Sequence, residues 1–274
     1  MKKNILTTII QGMAVTALFL VTEIVVNLFG VFNEDIRLYL VDISLRLLFG
    51  TVALVLLARN FKKQEHPEPV KKLFTNKLPG STYVLLLPFT LYLLVTLLLM
   101  VTGEAKELGD GFVGMYSLNC GQQLATGYFE EATRALLMCG LLKYCMGTKK
   151  NRIQTILVAG ICFGLSHALN FFFGQGVIAS LWQVFHCFLW GLFAAAIYML
   201  SKNLTLLMVM HAVWDVVIRI PDNFCNFAGN SVLRDALYIL QDVLDYGIMP
   251  IAAVYICIRY EKLRGRNQEE REAI

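Results

Sequence analysis

Three short stretches of this 274-residue chain place acids, imidazoles and a cation at helical spacing. They are Tyr128-Phe129-Glu130-Glu131-Ala132-Thr133-Arg134, Phe163-Gly164-Leu165-Ser166-His167 and His211-Ala212-Val213-Trp214-Asp215. On a helix, Glu130 and Arg134 are four residues apart and Glu131 and Arg134 three apart, so either carboxylate can face the guanidinium. One acid then balances Arg134 and the other is left over for chemistry. His211 and Asp215, four apart, share a helix face. A carboxylate, two imidazoles and a further acid to orient one of them form the inventory of a hydrolase that activates water, with metal assistance expected. His167, His211 and Glu130 are the candidate ligands for a Zn2+ ion, with a metal-independent Glu/His site as the alternative. No HExxH motif is present, which excludes the common soluble zinc-protease arrangement.

The elements that must position these residues are membrane helices. Hydrophobic residues make up 57% of the chain and charged residues 16%, where soluble domains run nearer half and a quarter. Mean hydropathy is +0.60. The apolar residues come in blocks of about twenty, the length that crosses a bilayer core. No period-2 alternation marks barrel strands. About eight spans are expected, over 5–30, 37–58, 81–103, 118–146, 152–174, 177–200, 204–220 and 232–258. Lys2 and Lys3 precede the first apolar block as in a signal peptide, but no small-x-small cleavage site follows, so it reads as a retained span. The fold class is an all-α polytopic membrane protein. Spans four to seven are expected to form a four-helix catalytic bundle around a cavity, with the first three spans and the eighth packed outside it.

This pattern excludes a soluble enzyme, a secreted disulfide scaffold and a disordered chain. The seven cysteines are odd in number, form no CxxC and sit mostly in apolar blocks, so they read as buried small side chains. No Lys/Arg run is interleaved with aromatics, as a nucleic-acid groove would need. The expected partners are the lipid bilayer and a peptide or membrane-protein substrate.

A charged side chain in hydrocarbon costs about 2.5–3.5 kcal/mol on insertion scales, so each one needs a reason to be there. At about 1.5 Å rise per residue, Glu130 lies about 18 Å from the outer start of span four. His211 lies about 12 Å, and His167 about 17–22 Å, from the cytoplasmic side. In a core about 30 Å thick, all three fall in one middle band. His186 has no acid at helical spacing and is expected to pack or to line the cavity. Glu23 and Asn27 on span one are expected to make a helix–helix hydrogen bond. His66 falls in the linker and is expected to be exposed.

Orientation follows from Lys/Arg asymmetry. With a cytoplasmic N-terminus and eight alternating spans, 18 of the 24 Lys and Arg fall on the cytoplasmic side. The outer loop Gly103–Gly111 carries Glu104, Glu107 and Asp110 against Lys106. The expectation is a multi-pass protein of the cell membrane with both termini cytoplasmic. Residues 1–110 read as an N-terminal packing region, with a cytoplasmic linker at 60–80 containing Pro67, Pro69 and Pro79. Residues 118–217 read as the segment that carries chemistry. Residues 218–274 hold the last span and a basic tail.

The three stretches, in order and on separate spans, resemble the CPBP family of intramembrane proteases. That family includes the type II CAAX prenyl endopeptidases and bacteriocin-immunity-type members. Its signatures are a Glu-Glu helix followed by Arg, then Phe-x-x-x-His, then His-x-x-x-Asn or Asp. Here they read Glu130-Glu131…Arg134, Phe163…His167 and His211…Asp215, within about 120–217. Gly174, Gln175, Gly176 and Gln183 between the second and third follow the same style. The Glu pair and the Arg are separated by two residues where the family has three, which rotates Arg134 by about 100°. Either Glu130 or Glu131 is then the catalytic acid.

The resemblance implies peptide-bond hydrolysis within the membrane. Glu130 or Glu131 would be the general base and His167 would position the water. His211 and Asp215 would bind metal or stabilise the oxyanion, and Arg134 would orient the Glu pair. The alternative is a non-catalytic immunity or partner-binding protein of the same fold.

Overall fold

The computed structural model describes residues 2–28, 36–62 and 71–265. The linker residues Lys63, His66, Pro67 and Pro69 and the tail arginines Arg266 and Arg271 lie outside these.

Two long helices open the chain, α1 (Lys2–Leu28) and α2 (Ile36–Lys62). A short α3 (Lys72–Thr75) leads to α4 (Gly80–Leu85) and α5 (Leu87–Leu98), which ends in a 3₁₀ turn over Leu99–Thr102. Then come α6 (Phe112–Tyr144), α7 (Lys149–Ser166), α8 (Val177–Ser201) and α9 (Leu204–Val217). A short α10 (Ile220–Phe224) precedes α11 (Val232–Asp242) and α12 (Met249–Leu263), which a π-helical stretch over Val243–Ile248 joins into one rod. Two-residue strands β1 (Glu104–Ala105) and β2 (Cys225–Asn226) pair antiparallel, Glu104 opposite Asn226 and Ala105 opposite Cys225.

Among the described residues, seven helical segments are long and apolar enough to cross a membrane. They are Asn4–Val26, Ile36–Lys62, Gly80–Thr102, Lys149–Phe171, Val177–Ser201, Leu204–Phe224 and Val232–Leu263. The protein is therefore an all-α, multi-pass membrane protein. The expected fourth span, α6, is not among the seven, although at 33 residues it is the longest α-helix. It carries Glu130, Glu131, Arg134 and Lys143, and these lower its apolarity.

Connectivity nevertheless requires α6 to pass from one end of the bundle to the other. The β1–β2 pair ties the end of the third pass to the end of α9–α10. Asn76 before α4 donates to the carbonyl of Lys202 after α8, and Ser81 donates to the carbonyl of Leu263 at the end of α12. These ties are met together only if α6 reverses the direction of the chain, giving eight passes. Thr8 of α1 bonds the backbone of Leu137 and Gly140 near the end of α6. Arg152 at the start of α7 bonds Glu261 and the carbonyl of Cys257 on α12. The start of α1, the end of α6, the start of α7 and the end of α12 thus gather at one end.

The packing departs from the expected scheme. α6 is embraced by α1, α2 and α9, while α8 packs against α7 and α12. α8 is the central rod, buried without a break from Trp190 to Ser201. The first two spans therefore wrap the helix that carries the acids, rather than lying outside a four-helix core. Small residues set the close approaches. A Cβ on Gly127 of α6 would come 2.9 Å from the backbone of Met208 and Ala212 on α9. One on Gly164 of α7 would come 2.7 Å from the carbonyl of Val184 on α8. Side-chain-free patches let helix backbones meet where lipid offers no hydrophobic drive to association.

Candidate active site

α6 delivers two consecutive acids whose side chains leave the helix about 100° apart. That angle sends them to different places. Glu131 turns into the packed interior and is wholly buried. Glu130 turns to a cavity of about 580 Å³, with its side chain 17% exposed.

Glu131 is engaged through one oxygen, and among the described residues its Oε2 has no hydrogen-bond partner. Its Oε1 accepts from His211 Nδ1 at 2.7 Å and lies 3.2 Å from Arg134 Nη2. Arg134 in turn lays its guanidinium over the Phe163 ring, with Cζ 3.9 Å from the ring centre. Three helices, α6, α7 and α9, are pinned through this one carboxylate. The Arg134 guanidinium is held by charge and by the ring face rather than by hydrogen bonds: among the described residues none of its nitrogens has a hydrogen-bond partner.

With Nδ1–H donated to Glu131, the other ring nitrogen of His211 faces the cavity side. Its Nε2 lies 3.5 Å from Glu130 Oε2 and 3.6 Å from Asp215 Oδ2. Asp215 is one turn along α9, as the i,i+4 spacing requires. His211 thus has a carboxylate behind it and two in front.

His167 is placed by a change in helix type. α7 ends at Ser166 and tightens into a 3₁₀ stretch, His167–Phe173, closed by Gly174 in the left-handed region at φ 86°. The backbone N–H of His167 then turns to the carbonyl of Gly164. The Phe163 carbonyl is released and is taken instead by His167 Nδ1 at 2.9 Å and by Ser166 Oγ at 2.6 Å. A carbonyl can only accept, so Nδ1 carries the proton and Nε2 is the free position. Both imidazoles lean on the Phe163 ring, with centroids 4.9 Å away for His167 and 5.9 Å for His211. The two are therefore far closer than two helix diameters, about 20 Å.

Glu130, Arg134, His167, His211 and Asp215 all line the one cavity, and Glu131 stands behind it. Residues 120–217 match the family model described as type II CAAX prenyl endopeptidase Rce1-like. This segment is similar to that family. It holds the Glu pair, both imidazoles and Asp215, whereas α1, α2 and the α11–α12 rod lie outside the match. Comparison with curated proteins and with solved structures finds no match to the chain. The likeness is to proteases, at the level of the family.

Among the described residues, no three His, Cys, Asp or Glu side chains are grouped to hold a metal ion. Zinc needs donors converging at about 2.0–2.3 Å; His167, His211 and Glu130 line the same cavity. No step below is routed through a metal.

Two features of the cavity wall were not anticipated. Glu23, expected with Asn27 to bond another helix, lies 3.5 Å from Arg46 of α2, which also bonds Asp42 at 2.8 Å; the Asn27 side chain lies outside the described residues. Gln122 of α6 donates to the same Asp42 carboxylate at 2.7 Å. Asp42 and Arg46 are four apart within span two, so the spacing rule that found His211 and Asp215 could have found them. His186, without an acid at helical spacing, does have one in space: its Nδ1 is 2.9 Å from Asp245 Oδ2.

Proposed function

We propose that this protein is an intramembrane endopeptidase that hydrolyses peptide bonds of a membrane-associated peptide or protein, with Glu130 as general base. The observation that carries the reading is the division of labour between adjacent acids. Glu131 is consumed in holding His211 and Arg134, and Glu130 is presented to the cavity.

The chemistry follows from the free positions. A water between Glu130 and His167 gives a proton to the Glu130 carboxylate as its oxygen attacks the scissile carbonyl. His167 Nε2, with Nδ1–H committed to Phe163, accepts the water's other hydrogen and aims its lone pair. His211, when it carries a proton on Nε2, donates to the developing oxyanion. Asp215 and Glu131 hold that ring from two sides. Glu130 then returns its proton to the leaving amine, so one water is consumed and one acid and one amine are released. Arg134 acts at a distance, by fixing Glu131. The Lys and Arg content of the linker and tail sequences supports placing both termini on the cytoplasmic face of a cell membrane.

The test is purified full-length protein in detergent with a peptide panel read by mass spectrometry. The panel contains farnesylated Cys-Ala-Ala-X peptides, the same peptides without lipid, and a mixed library. Cleavage by wild type that is lost in Glu130→Gln, His167→Ala and His211→Ala is the expected result. Folded wild type that cleaves nothing overturns the reading and leaves the non-catalytic immunity or partner-binding alternative.

A further inference from the structure

The cavity has a second polar wall that the chemistry above does not use. Asp245 comes from the π-helical stretch between α11 and α12, outside the family match. A π-turn widens the helix by one residue and re-aims a side chain, and such turns are frequent at functional sites. Asp245 is 4% exposed, and its Oδ2 lies 2.9 Å from His186 Nδ1. An ionised side chain at this depth is costly, and here its partner is an imidazole that lines the cavity.

The arrangement repeats that of His211. In both, a buried carboxylate stands against Nδ1, at 2.7 Å for His211 and 2.9 Å for His186, which leaves Nε2 as the working position. One helical turn from His186 on the same face of α8 is Trp190, 4% exposed and also at the cavity wall. Among the described residues its indole N–H has no hydrogen-bond partner. The Trp190 ring lies 6.0 Å from the His211 ring, so this wall adjoins the reacting groups. The wall thus offers one acceptor and one unsatisfied donor about 6 Å apart along the helix. A peptide backbone carries one N–H and one C=O per residue, and both need partners when removed from water.

We propose that His186 and Trp190 form a backbone-binding subsite for the substrate peptide, with Asp245 as the positioning residue that fixes His186. His186 Nε2 accepts from a substrate N–H, and Trp190 Nε1–H donates to a substrate carbonyl. The proposal rests on the endopeptidase reading and assigns this wall to holding the chain rather than to breaking it.

The test separates binding from cleavage. Binding of a farnesylated Cys-Ala-Ala-X peptide, and of a non-lipidated one, is followed by intrinsic fluorescence in Glu130→Gln protein. All three tryptophans, Trp182, Trp190 and Trp214, lie within 6.1 Å of another aromatic or imidazole ring of this wall. Adding His186→Ala is expected to raise Kd at least tenfold. Asp245→Asn and Trp190→Phe, which keep size, are expected to raise it at least threefold. His186→Gln, whose Oε1 can accept near the Nε2 position, is expected to recover most of the loss. In the Glu130 background the same changes raise KM and leave kcat within threefold.

Cleavage with an unchanged KM in folded His186→Ala, or an equal Kd, overturns the subsite alone. Binding that depends on His186 without any cleavage overturns the endopeptidase reading alone. Peptide that binds no form of the protein overturns both.

Discussion

Glu131 and His211 meet across 80 residues of sequence, Oε1 to Nδ1 at 2.7 Å, with both side chains buried. The contact joins α6 to α9 and fixes which ring nitrogen of His211 remains free. It also removes Glu131 from the list of available bases. Stability and activity should therefore part company at two neighbouring residues.

Replacing Glu131 with Ala leaves the Arg134 guanidinium and the His211 imidazole buried without their shared partner. Breaking a buried pair from one side costs about 3–5 kcal/mol. Thermal unfolding in detergent should shift down strongly. Glu130→Gln removes a cavity-lining group and should unfold within about 1 kcal/mol of wild type. Its cleavage rate should fall by about 10²–10⁴. Equal stability of Glu131→Ala and wild type would remove the structural role given to that acid.

Arg134 is held by two dissimilar contacts, an ion pair to Glu131 and the face of Phe163. A lysine keeps the charge but has no planar group to lay on the ring. A desolvated cation–π contact is worth about 2 kcal/mol. Arg134→Lys and Phe163→Leu should each destabilise, and their double mutant should lose less than the sum. A coupling of about 1–2 kcal/mol in that thermodynamic cycle is the expected outcome. Strict additivity would mean that the ring and the cation do not act together.

Local spacing reaches as far as one helix, and the outcome divides along that line. The span positions, the Glu130/Glu131/Arg134 cluster and the His211–Asp215 pair were legible because each lies within a few turns. Which acid faces the cavity was not, because it depends on how α6 is rotated against α9. That rotation is set by contacts such as Gly127 against Met208. The Asp245–His186 pair spans two distant helices and a π-turn, and no periodicity reports it. The eighth pass shows the opposite failure. α6 crosses the bundle although its charges spoil its apolarity, because α1, α2 and α9 shield them from lipid. Its burial comes from neighbours that a window of its own sequence does not contain.

The placement of donors bears on metal dependence. No three-ligand group is formed among the described residues, although Nδ1–H of both His167 and His211 is given to an oxygen, which leaves each Nε2 open. Dialysis against a strong chelator should leave cleavage within about twofold, where loss of a catalytic metal costs orders of magnitude. Elemental analysis of the same samples should find zinc well below one per chain. Stoichiometric zinc lost together with activity, and restored with it, would show that His167, His211 and Glu130 close around an ion after all.

The closest test of the link between packing and chemistry is at Gly127. A methyl there would sit 2.9 Å from the carbonyl of Met208 and the amide of Ala212, both backbone atoms that cannot rotate away. Gly127 lies one turn before Glu131, and Ala212 follows His211. Forcing α6 and α9 apart at this point therefore stretches the Glu131–His211 contact directly. Overpacking of this kind costs about 1–3 kcal/mol. Small misplacements of reacting groups cost more in rate than in stability, about 10²-fold for 1 Å. Gly127→Ala should lower the unfolding temperature modestly and the cleavage rate at least tenfold. Gly114, on the same helix, has open space where its Cβ would stand. Gly114→Ala should therefore be neutral or stabilising by about 0.5–1 kcal/mol through helix propensity, with the rate unchanged. If both substitutions behave alike, the α6–α9 approach does not govern the site. If only Gly127→Ala slows cleavage, the two helices hold the catalytic geometry through that single missing side chain.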